Sequence, residues 1–255
     1  MSRGYTEGSS KEFGRIAKDY DKGRSSENVG LWAAETRRLA MLGEDSIIMD
    51  LGCGTGIYTV ALMEETGAAT CGLDPVPGMV GQARHKSRDV HWFNAVGERM
   101  PLRPGVLDCI FSSQVWHHIE DRQGTADECG RALRAGGHVV IRTISHDQLH
   151  EKVVFKYFPE IKANQLRVYP SNGDFRRYLG GAGFRDTEFH AYSLRRYQPV
   201  EELVEIAEKR LWSMFRPISE MGLRRGIEAL WRYREESGGE HVRNDELITL
   251  VVASK

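Results

Sequence analysis

The stretch "IIMDLGCGTG", residues 47–56, places three glycines directly after a compact apolar run. Gly52, Gly54 and Gly56 stand where a buried strand would give way to the helix predicted by "GIYTVALMEE". Glycine lacks a Cβ, so a tight turn at this point lets the backbone approach a bound ligand closely. The stretch therefore predicts a ligand-binding loop between the first strand and the helix that follows it.

The next apolar run, "ATCGLD", ends at Asp74, eighteen positions after Gly56. A carboxylate at the end of this second strand can accept hydrogen bonds from both hydroxyls of a ribose. Strand, glycine triplet, helix, strand and acid together indicate a nucleotide-containing ligand more strongly than the glycine triplet alone. A tight turn followed by a surface aspartate is the alternative that needs no ligand.

Strands and helices alternate through the rest of the first half. The runs "DVHWFNA", "LDCIFSSQ" and "GGHVVIRTIS" predict three further strands, with helices over "VPGMVGQARHK" and "DRQGTADECGRALRA". Such alternation implies parallel pairing through right-handed crossovers, so we expect an α/β fold with a doubly wound sheet. A helix is also predicted over "NVGLWAAETRRLAML". Its apolar side is expected to hold Leu31, Ala34, Leu39 and Leu42.

Composition excludes several classes of protein. Of the 255 residues, 40% are hydrophobic and 28% are charged, and the net charge of −1 supplies no global basic field for nucleic acid or an anionic membrane. No stretch reaches the ~20 apolar residues that span a bilayer. The N-terminal residues lack the apolar core of a secretory signal, so we expect a cytoplasmic protein. The dispersed cysteines are expected to be reduced core thiols: Cys53, Cys71, Cys109 and Cys129.

Two nucleotide-binding patterns are contradicted by the glycine spacing. The dinucleotide fingerprint G-x-G-x-x-G would need a glycine where Ile57 stands, and a P-loop would need G-x-x-x-x-G-K-S/T. The pattern G-x-G-x-G, preceded by Asp50 and followed by Asp74, instead resembles motif I of the class I S-adenosylmethionine-dependent methyltransferases. The stretches "LDPVPGMVGQAR", "ERMPLRPGVLDCIFSSQVWHHIED" and "RALRAGGHVVI" are similar to further motifs of that family.

The resemblance covers roughly residues 12–145 and is closest to the small-molecule branch that includes the ubiquinone/menaquinone C-methyltransferases. "FGRIAKDYD" resembles an N-terminal element of that branch that closes over the cofactor. The resemblance implies a seven-stranded, mostly parallel, Rossmann-like sheet with a helical lid. The expected organisation is a closing segment at 1–28, a core at 29–198 with a cap segment near 146–170, a helical lid at 199–238 and a final core strand at 239–255.

The same resemblance implies S-adenosylmethionine as the cofactor and assigns it a set of contacts. Met79 is expected to lie on the adenine, and Asp50 to orient the glycine loop. Val96 stands where the family often has an aspartate, so the adenine amino group is expected to meet the backbone of Val96 and Gly97, or Glu98. The expected cofactor-binding residues are Tyr20, Asp50, Gly52, Cys53, Gly54, Gly56, Asp74, Pro75, Met79, Val96, Gly97, Glu98, Ser113 and Gln114.

Residues 113–118 are expected to leave the fourth strand beside the reactive methyl group. His117 is a candidate general base, with His118 as a weaker candidate and a shared structural role as the alternative. Tyr20 could line the reaction centre or simply pack against other residues. Trp116 could form part of the wall of the site or belong to the core. Metal binding by the two histidines is disfavoured because adjacent side chains on a helical turn are expected to diverge.

Helices are also predicted near 199–215 and 218–236, divided at Pro217. As the expected lid they would shape an acceptor pocket through Arg195, Arg196, Tyr197, Trp212 and Phe215, or their apolar side would simply pack on the body. The leading function is methyl transfer to a small organic acceptor. The alternatives are methylation of a tRNA-borne modified nucleoside, which the near-neutral charge disfavours, and a non-catalytic cofactor-binding partner subunit. A homodimer is compatible with each of these functions.

Overall fold

The computed structural model describes Ala17, Asp21 and residues 28–255. The strands are β1 (Ile47–Leu51), β2 (Ala69–Leu73), β3 (His91–Phe93), β4 (Leu107–Ser113), β5 (Leu133–Thr143), β6 (Arg185–Leu194), β7 (Tyr197–Pro199), β8 (His241–Arg243) and β9 (Glu246–Ser254). The helices are α1 (Val29–Leu39), α2 (Ile57–Thr66), α3 (Pro77–Lys86), α4 (Arg122–Ala132), α5 (His146–Glu151), α6 (Val154–Tyr157), α7 (Pro159–Val168), α8 (Asn172–Gly181), α9 (Val200–Glu208) and α10 (Glu220–Ser237).

Seven strands form one sheet in the order β3-β2-β1-β4-β5-β9-β6. β1 pairs in parallel with β2 on one side and β4 on the other, and β2–β3 and β4–β5 are parallel as well. This confirms the prediction of a doubly wound, mostly parallel sheet of seven strands. The chain reverses its direction of winding between β1 and β4. Their carboxyl ends form the topological switch point at which open α/β sheets bind ligands.

Both faces of the central strands are buried. Met49, Ile110 and Val139 belong to one apolar cluster, whereas their neighbours Ile48, Phe111 and Val140 belong to another. Successive side chains of a strand point to opposite faces, so each strand contributes to both clusters. This explains why the strands read as continuous apolar runs in the sequence.

The buried side of α1 differs from the prediction. Val29, Trp32, Ala33 and Thr36 are buried, whereas Leu31 is 40% exposed. The buried positions follow the helical spacing i, i+3, i+4 and i+7. The prediction was wrong for Leu31, whereas Leu42 is buried and Leu39 packs against the same apolar cluster; the large Trp32 ring, which the prediction left out, is fully buried.

The chain divides into two compact units. The first comprises the described residues up to Thr143, together with Asn172–His190 and Leu250–Lys255. The second comprises Ile144–Ser171 and Ala191–Thr249. An aromatic cluster forms the centre of the second unit, where the Phe158 and Phe215 rings meet edge to face with centroids 5.0 Å apart.

Two expectations from composition can be compared with the described part of the chain. Each of the four cysteines is buried with a free thiol, as predicted. No helix among the described residues combines the length and the apolar character needed to span a membrane.

Candidate cofactor site

The loop after β1 folds back onto the end of β2. The backbone N–H groups of Gly52 and Cys53 both donate to the Leu73 carbonyl oxygen, at 2.7 and 3.0 Å. Gly52, Gly54 and Gly56 have φ values of +75°, +53° and +84°. These left-handed conformations are strained for residues with a Cβ, so three glycines are required by the turn itself.

Close packing adds a second requirement for glycine at two of these positions. A Cβ on Gly52 would lie 2.3 Å from Val115 Cγ2, and a Cβ on Gly56 would lie 2.5 Å from Trp92 Cη2. Both distances are far below a normal van der Waals contact. The glycines therefore allow two other parts of the chain, β3 and the segment that follows β4, to pack directly on the loop.

Asp74 holds the glycine loop through both oxygens of its carboxylate. Oδ2 accepts a hydrogen bond from the Gly54 N–H at 2.9 Å, and Oδ1 accepts one from the Val76 N–H at 2.8 Å. Each carboxylate oxygen can accept a further hydrogen bond, which matches a pair of ribose hydroxyls. Asp74 is only 7% exposed, and burial raises its pKa to about 6 although both N–H donors lower it.

Asp50 lies deeper, at the end of β1. Its Oδ2 accepts a hydrogen bond from the Thr59 hydroxyl at 2.6 Å, which ties the strand to the first turn of α2. Burial raises the pKa of Asp50 to about 7, against the lowering effect of the Thr59 hydrogen bond. The contact fits the predicted role of orienting the loop, since the carboxylate is hydrogen-bonded to the helix that directly follows the loop.

A pocket of about 350 Å³ opens beside the loop. This volume includes space that is open to solvent. Its mostly apolar walls suit a flat aromatic base, and partial burial raises the pKa of Glu98, its one acid. The lining residues are Leu51, Gly52, Leu73, Pro75, Val96, Gly97, Glu98, Val115 and Ile119.

The pocket unites only some of the predicted cofactor contacts. Gly52, Pro75, Val96, Gly97 and Glu98 line it, and their contacts with the cofactor stay a prediction. Two other predicted residues are placed differently. Met79 is buried in α3 and does not line the pocket, and Cys53 is buried in a cluster with the Trp92 ring.

Ser113 and Gln114 lie at the carboxyl end of β4. Gln114 has φ +57°, a left-handed conformation that is uncommon outside glycine, and its N–H donates to the Arg142 carbonyl at 2.8 Å. The Ser113 hydroxyl accepts a hydrogen bond from Arg142 Nη1 at 3.2 Å. Backbone strain of this kind clusters at functional sites. The predicted residues thus stand beside a buried arginine that the sequence had not singled out.

Trp116, His117 and His118 form a short 3-10 helix after β4. Trp116 is 1% exposed and meets Phe175 edge to face, so it belongs to the core. The rings of His117 and His118 lie 3.9 Å apart, so the expectation that they diverge was wrong. Rotation about the side-chain bonds turns the two imidazoles toward each other despite the helical backbone. Within the described part of the chain, no group of three or more His, Cys, Asp or Glu is placed to hold a metal.

The predicted closing segment is described only in part. Tyr20, expected at the reaction centre, lies outside the described residues. Its neighbour Asp21 is described, and its carboxylate accepts hydrogen bonds from the Thr55 hydroxyl and from Lys86 Nζ, both at 2.6 Å. Because Thr55 belongs to the glycine loop, Asp21 joins the site as a residue that sequence reasoning missed. The motif "KDYD" contained it, but its partners are distant in sequence.

The buried carboxyls predict how stability depends on pH. A carboxyl with a raised pKa holds its proton in the folded state to higher pH than in the unfolded state, so stability falls as pH rises from about 4 to about 7. Asp50→Asn removes this titration for the group whose pKa is raised to about 7. We expect the ligand-free variant to gain roughly 2–4 kcal/mol over the wild type between about pH 5 and about pH 8. Urea unfolding at both pH values measures the gain, and a constant difference between the proteins would contradict it.

Three comparisons with known proteins bear on this site. A model described as a methyltransferase domain matches residues 49–141. The chain is 30% identical over 143 residues to a malonyl-(acyl-carrier protein) O-methyltransferase of Serratia marcescens, covering 54% of this chain and 53% of that one. It is 29% identical over 217 residues to a ubiquinone/menaquinone biosynthesis C-methyltransferase of Campylobacter jejuni, covering 71% of this chain and 91% of the relative. It thus spans about half of the first relative and about nine tenths of the second.

A solved structure supports the fold. A protein of Anabaena variabilis, described as a methyltransferase of an antibiotic biosynthesis pathway, superimposes with a TM-score of 0.72 at 20% identity, covering 88% of this chain and 96% of that one. The glycine loop, Asp74 and the strands β2, β3 and β4 lie inside the matched methyltransferase domain, and β1 and β5 lie at its edges. Residues 49–141 therefore form a methyltransferase domain similar to those of the class I S-adenosylmethionine-dependent methyltransferases, and its cofactor is S-adenosylmethionine.

Proposed function

We propose that the chain transfers the methyl group to a small organic acceptor by in-line displacement. The observation that carries this proposal is the match over 91% of the Campylobacter C-methyltransferase, since that relative acts in ubiquinone/menaquinone biosynthesis. When bound, S-adenosylmethionine supplies a methyl group already activated on a sulfonium. The protein then has to orient the acceptor, exclude water and, for some acceptors, remove a proton.

The residues of the first unit fit the cofactor. We assign the ribose hydroxyls to Asp74, whose carboxylate is fixed by two backbone donors. The base occupies the pocket between Pro75, Val96 and Gly97, with Glu98 as the acceptor for its amino group. The glycine loop approaches the amino-acid part of the ligand through backbone atoms, as its left-handed turns allow.

His117 is the proposed general base. It follows β4 at the switch point and comes two residues after Val115, which lines the pocket. The adjacent His118 ring packs against it, with ring centroids 3.9 Å apart. Tyr20 remains a proposed contact at the reaction centre, and the helices within 199–238 remain a proposed lid.

The arrangement of charge disfavours the tRNA alternative. Nucleic-acid binding needs basic side chains that are available to phosphates. Many arginines of the described residues instead form ion pairs with acids of the same chain. These pairs are Arg37–Glu65, Arg38–Glu35, Arg131–Glu128, Arg134–Asp108, Arg177–Asp174, Arg196–Glu202, Arg210–Glu220, Arg234–Glu201 and Arg243–Asp245.

Release of S-adenosylhomocysteine during incubation with small quinols, phenols, carboxylic acids and amines tests the proposal. With an accepted substrate, we expect His117→Asn to lower turnover by roughly 10²–10⁴-fold while leaving cofactor affinity within about threefold. His118→Asn is the matched control and should lower turnover far less. Turnover with modified tRNA alone would replace the proposal by the tRNA alternative. Cofactor binding without turnover on either class would favour a non-catalytic partner subunit.

A further inference from the structure

Three residues that line the pocket, Val96, Gly97 and Glu98, stand on irregular chain. They belong to residues 94–106, which connect β3 to β4 and, all of them described, contain no helix or strand. A segment without a helix or ladder of its own takes its position from contacts with the elements around it. The geometry of this side of the pocket is therefore set by whatever anchors the connection.

Helix α4 anchors the connection through an ion pair. Arg131 Nε and Nη2 donate to the two carboxylate oxygens of Glu128 at 2.6 and 2.7 Å. The same carboxylate accepts a hydrogen bond from the Met100 N–H at 2.8 Å. Arg131 also donates to the Leu102 carbonyl through Nη1 at 2.9 Å and to the Met100 carbonyl through Nη2 at 3.3 Å. Glu128 and Arg131, the α4 clamp, thus hold three main-chain groups just after Glu98.

The geometry of the α4 clamp restricts movement. Two parallel N–H bonds to one carboxylate fix the plane of the guanidinium, and the remaining N–H groups of that plane then point in set directions. The Glu128 side chain is only 13% exposed, so solvent screens the pair less than it screens a surface ion pair. Met100 is itself buried. The main chain at Met100 is therefore fixed both by its own side chain in the core and by the clamp.

A second contact with α4 lies on the other side of Glu98. A Cβ on Gly97 would lie 3.1 Å from Thr125 Cγ2, so the main chain at Gly97 packs closely on the helix. Thr125 is fully buried and precedes Glu128 by one helical turn, which places the two on the same side of α4. Glu98 is thus flanked by two stretches of main chain, at Gly97 and Met100, that one helix holds.

We propose that Glu128 and Arg131 are positioning residues that hold the Glu98 carboxylate in place and thereby set the selectivity of the pocket for the adenine ring. Glu98 makes the contact with the amino group of the base, and the α4 clamp acts through the main chain that joins Glu98 to Met100. The inference rests on the proposed placement of the base in this pocket. It adds two residues to which neither the sequence motifs nor the comparisons assign a role at the cofactor.

Discrimination between two bases measures this positioning. The ligands are S-adenosylhomocysteine and its purine analogue, in which hydrogen replaces the adenine amino group. We expect the wild type to prefer S-adenosylhomocysteine at least about tenfold in calorimetric titration, because the analogue leaves a half-buried carboxylate without its donor. Glu98→Met should reduce the preference below about threefold. Arg131→Met should reduce it to a similar value, and Arg131→Lys should retain part of it, because an ammonium keeps the pair with Glu128 without the fork.

Arg177→Met is the matched control, because Arg177 forms an i,i+3 ion pair with Asp174 in α8, whose residues do not line the pocket. It should keep the wild-type preference. A general loss of folding weakens both ligands in proportion and leaves their ratio unchanged, and thermal melting detects it. Where Arg131→Met does not fold, Glu128→Gln replaces it, since glutamine keeps one oxygen for the Met100 N–H and loses the charge that holds Arg131.

Two outcomes contradict the inference in distinguishable ways. If folded Glu128→Gln and Arg131→Met keep the wild-type preference while Glu98→Met loses it, the α4 clamp has no positioning role and the placement of the base stands. If the wild type shows no preference, or the preference survives Glu98→Met, the placement of the base is wrong and the inference falls with it. None of these measurements depends on turnover, so methyl transfer to a small acceptor is tested separately.

Discussion

Asp74→Asn will weaken binding of S-adenosylhomocysteine by about 100-fold or more, equivalent to about 2.7 kcal/mol. An asparagine keeps one acceptor oxygen but places an NH₂ group opposite the N–H of Gly54 or Val76, both of which now donate to the carboxylate. One buried donor then loses its partner, and the charge that would strengthen hydrogen bonds from a ribose is gone. Isothermal titration calorimetry measures the loss.

The control for this substitution is Asp89→Asn, which removes a charge from an exposed residue just before β3. Its affinity should match that of the wild type. Thermal melting of ligand-free Asp74→Asn separates a binding defect from loss of the fold. A loss of affinity below about threefold in a folded variant would show that Asp74 supports the loop without contacting the cofactor.

Gly226→Ala will destabilise the second unit by about 2–3 kcal/mol. Helix propensity alone predicts the opposite sign, since alanine in a helix interior is favoured over glycine by about 1 kcal/mol. A Cβ at this position of α10 would lie 2.1 Å from two ring atoms of Phe158, which is fully buried. The ring packs on Phe215, so it has little freedom to move away. Calorimetric melting of the variant measures the effect.

Gly81→Ala is the matched control, because Gly81 lies inside α3 with open space around its Cβ position. It should be neutral or slightly stabilising. The double variant Gly226→Ala/Phe158→Leu should recover part of the stability lost by Gly226→Ala, since leucine is smaller and more adaptable than the ring. Destabilisation of the same size in both glycine variants would assign the effect to the backbone and not to the clash.

The sequence predicted the features that depend on local order along the chain. The glycine loop, Asp74 and the alternation of strands are each visible within about 30 residues, the length of a βαβ unit. The family resemblance supplied the number of strands. The predictions that failed concern features that depend on contacts between segments distant in the sequence. The buried side of α1 includes Trp32, which meets Arg142 more than a hundred residues later.

Parts of the candidate site were missed for the same reason. Asp21 acquires its role from Thr55 and Lys86, and the buried Arg142 contacts Trp32, Tyr58 and Ser113. The small antiparallel sheet of β7 and β8 was not predicted either, because its strands have three residues each and are separated by the helices α9 and α10. Strands this short contain too few residues for an alternation of apolar and polar side chains to be recognised.

The glycine loop is held almost entirely by main-chain atoms: the N–H groups of Gly52 and Cys53 bind a carbonyl, and that of Gly54 binds Asp74. Main-chain donors are the same whichever side chains surround them. Apart from Val115, which packs on Gly52, the side chains that follow β4 make none of these contacts, so mutations among them can accumulate without altering how the loop is built. In evolutionary terms, the two sides of the site are separable: a lineage can exchange one acceptor for another while inheriting its methyl-donor site unchanged.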